Sequence, residues 1–438
     1  MRLTRRRLAG AGLAVMALSG SVLSAQERDT TEIAQLKAQI EAITREIEEL
    51  KLGRAVVARA DTAGFGLGPA ASKVYRAPEG VSLGGYGEVL YEHFRAARED
   101  RQPSGRTDQL DALRVIAYLG YKFNEKWLFN SEIEFEHGST GGTGEVSVEF
   151  AYLDYRLSPS LGFRGGLLLV PMGLINELHE PPTFLGTTRP VTEQVIVPST
   201  WRESGLGVFG GLGDVAYRVY LINGLDAASA GSASGFGAGG IRGGRQSGSR
   251  AVAEDLAAVA RVDYTGVLGL TVGGSAYLGN SGQNQTVVGT GGPIDLAART
   301  FIWEGHLAYQ RDGLDLRGLY AMATVDQAAA VNAALGLAGA SSVGERLVGW
   351  YGQAGYDVLR TTRLGHQLVP YVRYERVNTQ DRVPTGFAAN PANDRRIVSV
   401  GAAWRPIGTI ALKVDYLFQH NEARTGVGQL NANLSYLF

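Results

Sequence analysis

Six histidines, at 93, 137, 179, 306, 366 and 420, are scattered through a chain that has no cysteine. No two of them have the spacing of a metal motif, and none sits in a recognisable Ser/His/Asp set, so no catalytic, cofactor or metal site is expected. Without thiols, neither a disulfide framework nor a thiolate metal site is possible. No glycine-rich segment follows a strand and opens a helix, which removes phosphate-cradle readings. Charge is more informative. Arg114, Arg164, Arg218, Arg261, Arg317 and Arg373 each lie on the polar side of an alternating apolar stretch, as do Lys122 and Lys413. Glu132, Glu134 and Glu136 share a face opposite Trp127, Phe129, Ile133 and Phe135. Glu88, Glu92, Asp255, Asp263, Glu304, Asp315, Glu375 and Asp415 follow the same rule. Charges of both signs on one face either pair across strands or set up a transverse field that orients solutes. That chemistry is electrostatic filtering.

The elements that hold these charges have period two. In the last segment Leu430, Ala432, Leu434, Tyr436 and Phe438 share one face, and Gln429, Asn431, Asn433 and Ser435 the other. Ile410–Phe418 and Phe301–Tyr309 alternate likewise. A strand with an apolar face, a strictly polar face and a terminal aromatic fits lipid outside and water inside. About sixteen such segments begin near 82, 110, 126, 144, 161, 203, 213, 255, 267, 298, 313, 344, 363, 394, 408 and 427, with eighteen as the alternative. Short, turn-forming connections alternate with long ones at 95–109, 172–202, 225–254, 280–297, 325–343 and 377–393. The expectation is an all-β, transmembrane antiparallel β-barrel over 81–438. A barrel of this size leaves an aqueous channel.

The 172–202 connection carries Pro181, Pro182, Pro190 and Pro198, the apolar Leu174, Ile175, Leu178 and Phe184, and the charges Glu177, His179, Glu180 and Arg189. Folded into the lumen, it would bury its apolar residues on the wall and narrow the pore with its charges. A rigid external loop is the other reading. The 225–254 loop is rich in Gly and Ser, with Arg242, Arg245 and Arg250 as a basic lip.

Upstream, residues 1–25 have the basic start, short apolar core and small-residue end of an export signal. Its removal takes away four arginines and moves the net charge from −1 to −5, which gives nucleic acid no electrostatic footprint. Residues 26–52 hold an a/d seam of Ile33, Leu36, Ile40, Ile43, Ile47 and Leu50, a short coiled-coil helix expected in the periplasm. Residues 53–80 lose the heptad, gain Gly, Ala and Pro, and read as a linker.

Glu149–Tyr155 (EFAYLDY), "LSPSLGFRGGLLLVPMGLINELHEPPTF" (Leu157–Phe184), "RPVTEQVIVPSTWRESGLGVFG" (Arg189–Gly210) and "LINGLDA" (Leu221–Ala227) resemble the phosphate-selective porin O/P family of outer-membrane porins. The resemblance is sharp over roughly 145–227. It implies a sixteen-stranded homotrimeric barrel with an inward loop, and an arginine ladder leading to a cluster of lysines. The arginines at 114, 164, 218, 261, 317 and 373 could form the ladder. The barrel region holds only Lys122, Lys126 and Lys413, so this sequence departs from the family at the lysines. The expected role is passive diffusion of small hydrophilic solutes, or anions such as phosphate, across the lipid of a Gram-negative-type outer membrane. A plugged barrel serving as adhesin or envelope tether is the alternative, followed by a barrel hydrolase.

Overall fold

The computed structural model describes residues 66–438 apart from 140, 143, 290, 291 and 363. The expected export signal, the expected coiled coil and the first part of the expected linker lie outside the described residues. Eighteen strands follow: β1 (Gly80–Phe94), β2 (Gln109–Lys122), β3 (Trp127–Glu136), β4 (Val146–Ser158), β5 (Leu161–Leu169), β6 (Arg202–Leu212), β7 (Val215–Asn223), β8 (Leu256–Tyr264), β9 (Leu270–Gly279), β10 (Gln285–Gly289), β11 (Gly292–Leu296), β12 (Thr300–Arg311), β13 (Leu314–Val325), β14 (Arg346–Tyr356), β15 (Gln367–Arg382), β16 (Asp394–Ile407), β17 (Ile410–Asn421) and β18 (Gln429–Leu437). Sixteen of them close an antiparallel barrel in which β18 returns to β1, from Tyr86↔Leu437 to Phe94↔Gln429. β10 and β11 pair only with each other, as a hairpin in the connection between β9 and β12. The choice between sixteen and eighteen strands is thereby resolved at sixteen in the barrel. Closure leaves no sheet edge unpaired, as a strand assembly in lipid requires.

Burial alternates along β18, with Gln429, Asn431, Asn433 and Ser435 buried and Leu430, Leu434 and Tyr436 exposed. This inverts the pattern of a water-soluble protein and matches an apolar exterior around a polar interior. Aromatic pairs stand on the outer face, among them Trp127–Tyr155, Trp303–Tyr320 and Trp350–Tyr374, with ring centroids 4.7, 5.4 and 5.3 Å apart. Rings with one polar edge suit the boundary between hydrocarbon and headgroups.

Segments from outside the wall pack within it. Residues 66–77 include the short helix α1 (Lys73–Arg76), and Leu67, Ala70, Ala71, Val74 and Tyr75 are buried. Tyr75 donates to Asp154 at 2.7 Å, and Asn130 donates to the Ala71 carbonyl at 2.9 Å. Gly120 on β2 makes room, because a Cβ there would lie 2.6 Å from Val74. The described part of the expected linker is therefore seated against β1, β2 and β3. The connection after β5 also turns inward and carries α2 (Thr192–Val195); a longer helix, α3 (Ala328–Ala334), lies in the connection after β13.

Candidate constriction inside the barrel

The 170–201 connection is closed at its neck by Asn176. Its amide donates to the Val170 and Trp201 carbonyls at 2.7 and 2.9 Å, and its Oδ1 accepts the Trp201 N–H at 2.6 Å. Leu174, Ile175, Phe184, Leu185, Ile196, Val197 and Trp201 are buried, so the apolar residues that a solvated loop would not need hold it inside. Gly349 on β14 lets α2 approach, since a Cβ there would sit 2.9 Å from Thr192 and Ile196.

Wall cations then lash the loop in place through its carbonyls. Lys413 donates to Pro181 and Gly186 at 2.5 and 3.0 Å, Arg405 to Pro182 at 3.1 Å, Arg317 to Thr183 at 2.9 Å and Arg373 to Thr188 at 3.5 Å. Arg261 donates to Gly173. Carboxylates do the converse. Asp415 accepts from the N–H and hydroxyl of Thr187, both at 2.8 Å, and Glu375 from the Thr192 N–H at 2.5 Å. From the loop itself, Glu193 accepts from Ile175 N–H and the Tyr351 hydroxyl at 2.7 and 2.6 Å. Glu180 accepts from the N–H groups of Ala70 and Ala71 at 3.0 and 2.9 Å, which ties the 66–77 segment to the loop.

The remaining charges pair across strands or two residues apart along one strand. Arg114 meets Glu88 at 2.9 Å and Glu134 at 3.4 Å. Arg164 meets Asp154 at 2.8 Å, and Arg317 meets Asp315 at 3.0 Å. Asp263 gathers Arg218, Arg261 and His306 at 2.6, 2.8 and 2.9 Å, while Glu177 sits 3.3 Å from Arg218. His179 lies 3.1 Å from Glu132, and Arg189 donates to Thr200 at 2.7 Å. Glu136 stays at the rim, half-buried, outside these clusters. The six arginines named from the sequence thus face inward together, yet carboxylates and loop carbonyls engage them. Arg189, Arg242, Arg245, Arg373, Arg395, Arg405 and Lys413 make no ion pair with a carboxylate among the described residues.

Several inward groups escaped the sequence reading. Glu149 meets Arg202 at 2.8 Å, and Arg405 is buried. Tyr86, Tyr118, Tyr152, Tyr220, Tyr277, Tyr351 and Tyr371 are buried inside the barrel. Their parity carried the signal: Tyr118 shares the face of Arg114 and Lys122, and Tyr86 that of Glu88.

Burial pushes the carboxyls of Glu180 and Glu193 up to about 7, against the hydrogen bonds each accepts. If the loop swings into water, both return to the ordinary carboxyl range. The seated loop therefore holds protons that the open loop releases. Its ordering is favoured below the ordinary range and weakens as pH rises through about 7. Hydrogen exchange of 172–200 should accordingly lose roughly a hundredfold or more in protection between pH 5.5 and pH 8, beyond the intrinsic rate change. The slope should shrink in the Glu180→Gln/Glu193→Gln variant. An unchanged slope there would assign the effect elsewhere.

No family model matches the chain. Among solved structures, the outer membrane channel DcaP of Acinetobacter baumannii is similar with a TM-score of 0.51 at 12% identity, covering 82% of this chain and 97% of that one. OmpF of Salmonella typhi, in complex with daunomycin, has a TM-score of 0.50 at 13% identity, covering 82% of this chain and 97% of the other. These likenesses are of fold: a sixteen-stranded porin-type barrel. An uncharacterized protein of Aquifex aeolicus (strain VF5) is 37% identical over 384 residues, 85% of this chain and 83% of that protein. The chain belongs to the family of that Aquifex aeolicus protein.

Proposed function

We propose that this protein is an outer-membrane porin through which small hydrophilic solutes, anions foremost, diffuse past the 170–201 constriction. The observation that carries the reading is the inverted barrel: an apolar exterior, a charged interior, and a loop fastened across the lumen by wall cations. The similar fold of outer-membrane channels supports it.

The anion preference rests on a balance of charge. Glu180 and Glu193 are held near 7 and are largely neutral at mildly acidic pH, whereas guanidinium groups stay protonated. Arg189, Arg242 and Arg245 lack carboxylate partners among the described residues and are available to a passing anion. Burial, and then the neighbouring Arg202, push Arg245 down to about 10, still charged at neutral pH. The resemblance to the phosphate-selective O/P family supports phosphate as one such anion, and a homotrimer as the assembly. The six ladder arginines are engaged elsewhere, so selectivity would come from the loop arginines.

Planar-bilayer recordings of the purified protein in a KCl gradient test this. Stepwise openings with a reversal potential on the anion side are expected, shifting toward cations in the Arg242→Ser/Arg245→Ser variant. Openings indifferent to that substitution would remove the anion reading and leave a general porin. Absence of conductance would favour the second reading, a plugged barrel acting as adhesin or tether. That reading has its own support, since residues 66–77 and the 170–201 loop fill the interior enough that Arg218 is 1% and Glu304 2% exposed.

A further inference from the structure

We propose that Glu132, Glu149 and His179 form a binding site for a divalent transition-metal ion, which clasps the constriction loop to the barrel wall. Their ligand atoms lie within 4.8 Å of one another, and all three residues are buried. Three elements converge on the point: Glu132 from β3, Glu149 from β4 and His179 from the 170–201 loop.

Glu149 reaches it through a break in the ladder. Glu132 pairs with Phe150 and Ile133 with Val148, so Glu149 is the extra residue of a β-bulge. Alternation continued from Phe150, Tyr152 and Asp154 would send Glu149 outward; the bulge turns its carboxylate into the lumen on the side of Ser147. Bulges of this kind re-aim side chains at functional sites.

His179 is oriented for ligation. Its Nδ1 lies 2.7 Å from the Asn176 carbonyl, a contact that only a protonated nitrogen makes favourably. Its Nε2 then faces Glu132 Oε1 at 3.1 Å and Glu149 Oε2 at 3.6 Å. A neutral imidazole would direct a lone pair at two carboxylate oxygens, so this point requires a proton or a cation. Ligands at about 2.1 Å from a metal stand roughly 3–3.5 Å apart, and the imidazole nitrogen lies 3.1 and 3.6 Å from the two carboxylate oxygens, so a small inward shift of Glu149 completes the set. Glu132 Oε2 and Glu149 Oε2 are buried without a hydrogen-bond donor. Glu134 also stands within hydrogen-bond reach of Glu149, and two touching carboxyls again need a proton or a cation between them.

The supporting shell is in place. The Asn176 carbonyl sets the imidazole tautomer, Tyr118 donates to Glu132 at 3.4 Å and Arg202 holds the other oxygen of Glu149 at 2.8 Å. Four carboxylates (Glu88, Glu132, Glu134 and Glu149) are in ion-pair contact with two guanidiniums, Arg114 and Arg202, and with His179. Arg189 adds a repulsive field but is turned to Thr200. One nitrogen with two or three carboxylate oxygens suits zinc, manganese or cobalt better than calcium or magnesium.

The test uses the full chain, folded in detergent and freed of metal with EDTA. Titration calorimetry with Zn²⁺ should give one site per chain with micromolar or tighter affinity, and Co²⁺ should give visible ligand-field bands. Both signals should be lost in His179→Gln and weakened at least tenfold in Glu149→Gln, in protein that still shows the gel shift of a folded barrel. Binding that survives both substitutions would place the ion at surface groups such as His93–Asp108 or His420–Glu99 and overturn the assignment. Absence of saturable binding would do the same and leave an imidazolium bridging two carboxylates. Neither result depends on whether the barrel conducts.

Discussion

Replacing residues 174–198 with a short Gly-Ser bridge is expected to raise single-channel conductance several-fold and to weaken ion selectivity. The loop crosses the lumen and reaches the wall at β8, β13, β15, β16 and β17 through Arg261, Arg317, Arg373, Glu375, Arg405, Lys413 and Asp415. On the proposed reading its removal widens the narrowest section, and ionic current follows that cross-section. The barrel should survive, because its closure rests on strand ladders that the loop does not enter. The wall groups that now hold loop carbonyls and N–H groups would meet water instead, so their loss of partners carries little penalty. Conductance in planar bilayers, with the gel shift of the folded barrel as control, decides the matter. An unchanged conductance would show that the loop does not limit flow and would point to residues 66–77, which the loop holds through Glu180.

The barrel was legible because lipid outside and charge inside force a period of two on nearly every strand. The sixteen starts read from alternation lie within four residues of the observed ones. Phe301, Leu412 and Leu430 face outward and Glu304, Lys413 and Asn431 inward, as their parity demands. The hairpin of β10 and β11 was not legible, because it forms no part of the wall and has no lipid-facing row to write into Gln285–Leu296. Its place inside a stretch read simply as a long loop follows from that.

The inward loop was legible in part. Prolines and apolar residues in 172–202 marked a loop that folds inward, and the inward arginines were identified by face. Their partners were not, because alternation reports which side a group occupies and nothing of what crosses the lumen to meet it. Arg373 and Lys413 bond to carbonyls some two hundred residues away in the chain, and a carbonyl leaves no trace in side-chain pattern. Glu149 was invisible for a sharper reason: a bulge reverses the one rule the reading relied on. The small residues that made 53–80 look like a linker have another use at Ala70 and Ala71. They bring backbone N–H groups up to the carboxyl of Glu180.

Asp263→Asn should be the most destabilising single change inside the barrel, at about 3–5 kcal/mol if the surroundings are dry. Asp263 is 1% exposed and accepts from Arg218, Arg261 and His306 at 2.6, 2.8 and 2.9 Å. The amide keeps the volume but removes the charge, leaving two guanidiniums and an imidazole crowded together, with Glu177 as the counter-charge left to the arginines and Glu304 that left to the imidazole. Removing one cation as well should restore part of the loss, so Asp263→Asn/Arg261→Gln is expected to be more stable than Asp263→Asn alone. Guanidinium unfolding of the barrel in detergent, followed by tryptophan fluorescence, measures both. The size of the effect also reports on the lumen. A loss of several kcal/mol means that packed loops exclude water from the Asp263 cluster, so solute must pass elsewhere or wait for the loop to move. A loss below about 0.5 kcal/mol means that water screens these charges as it would a surface pair, and a continuous aqueous path then runs beside Asp263 in the resting barrel.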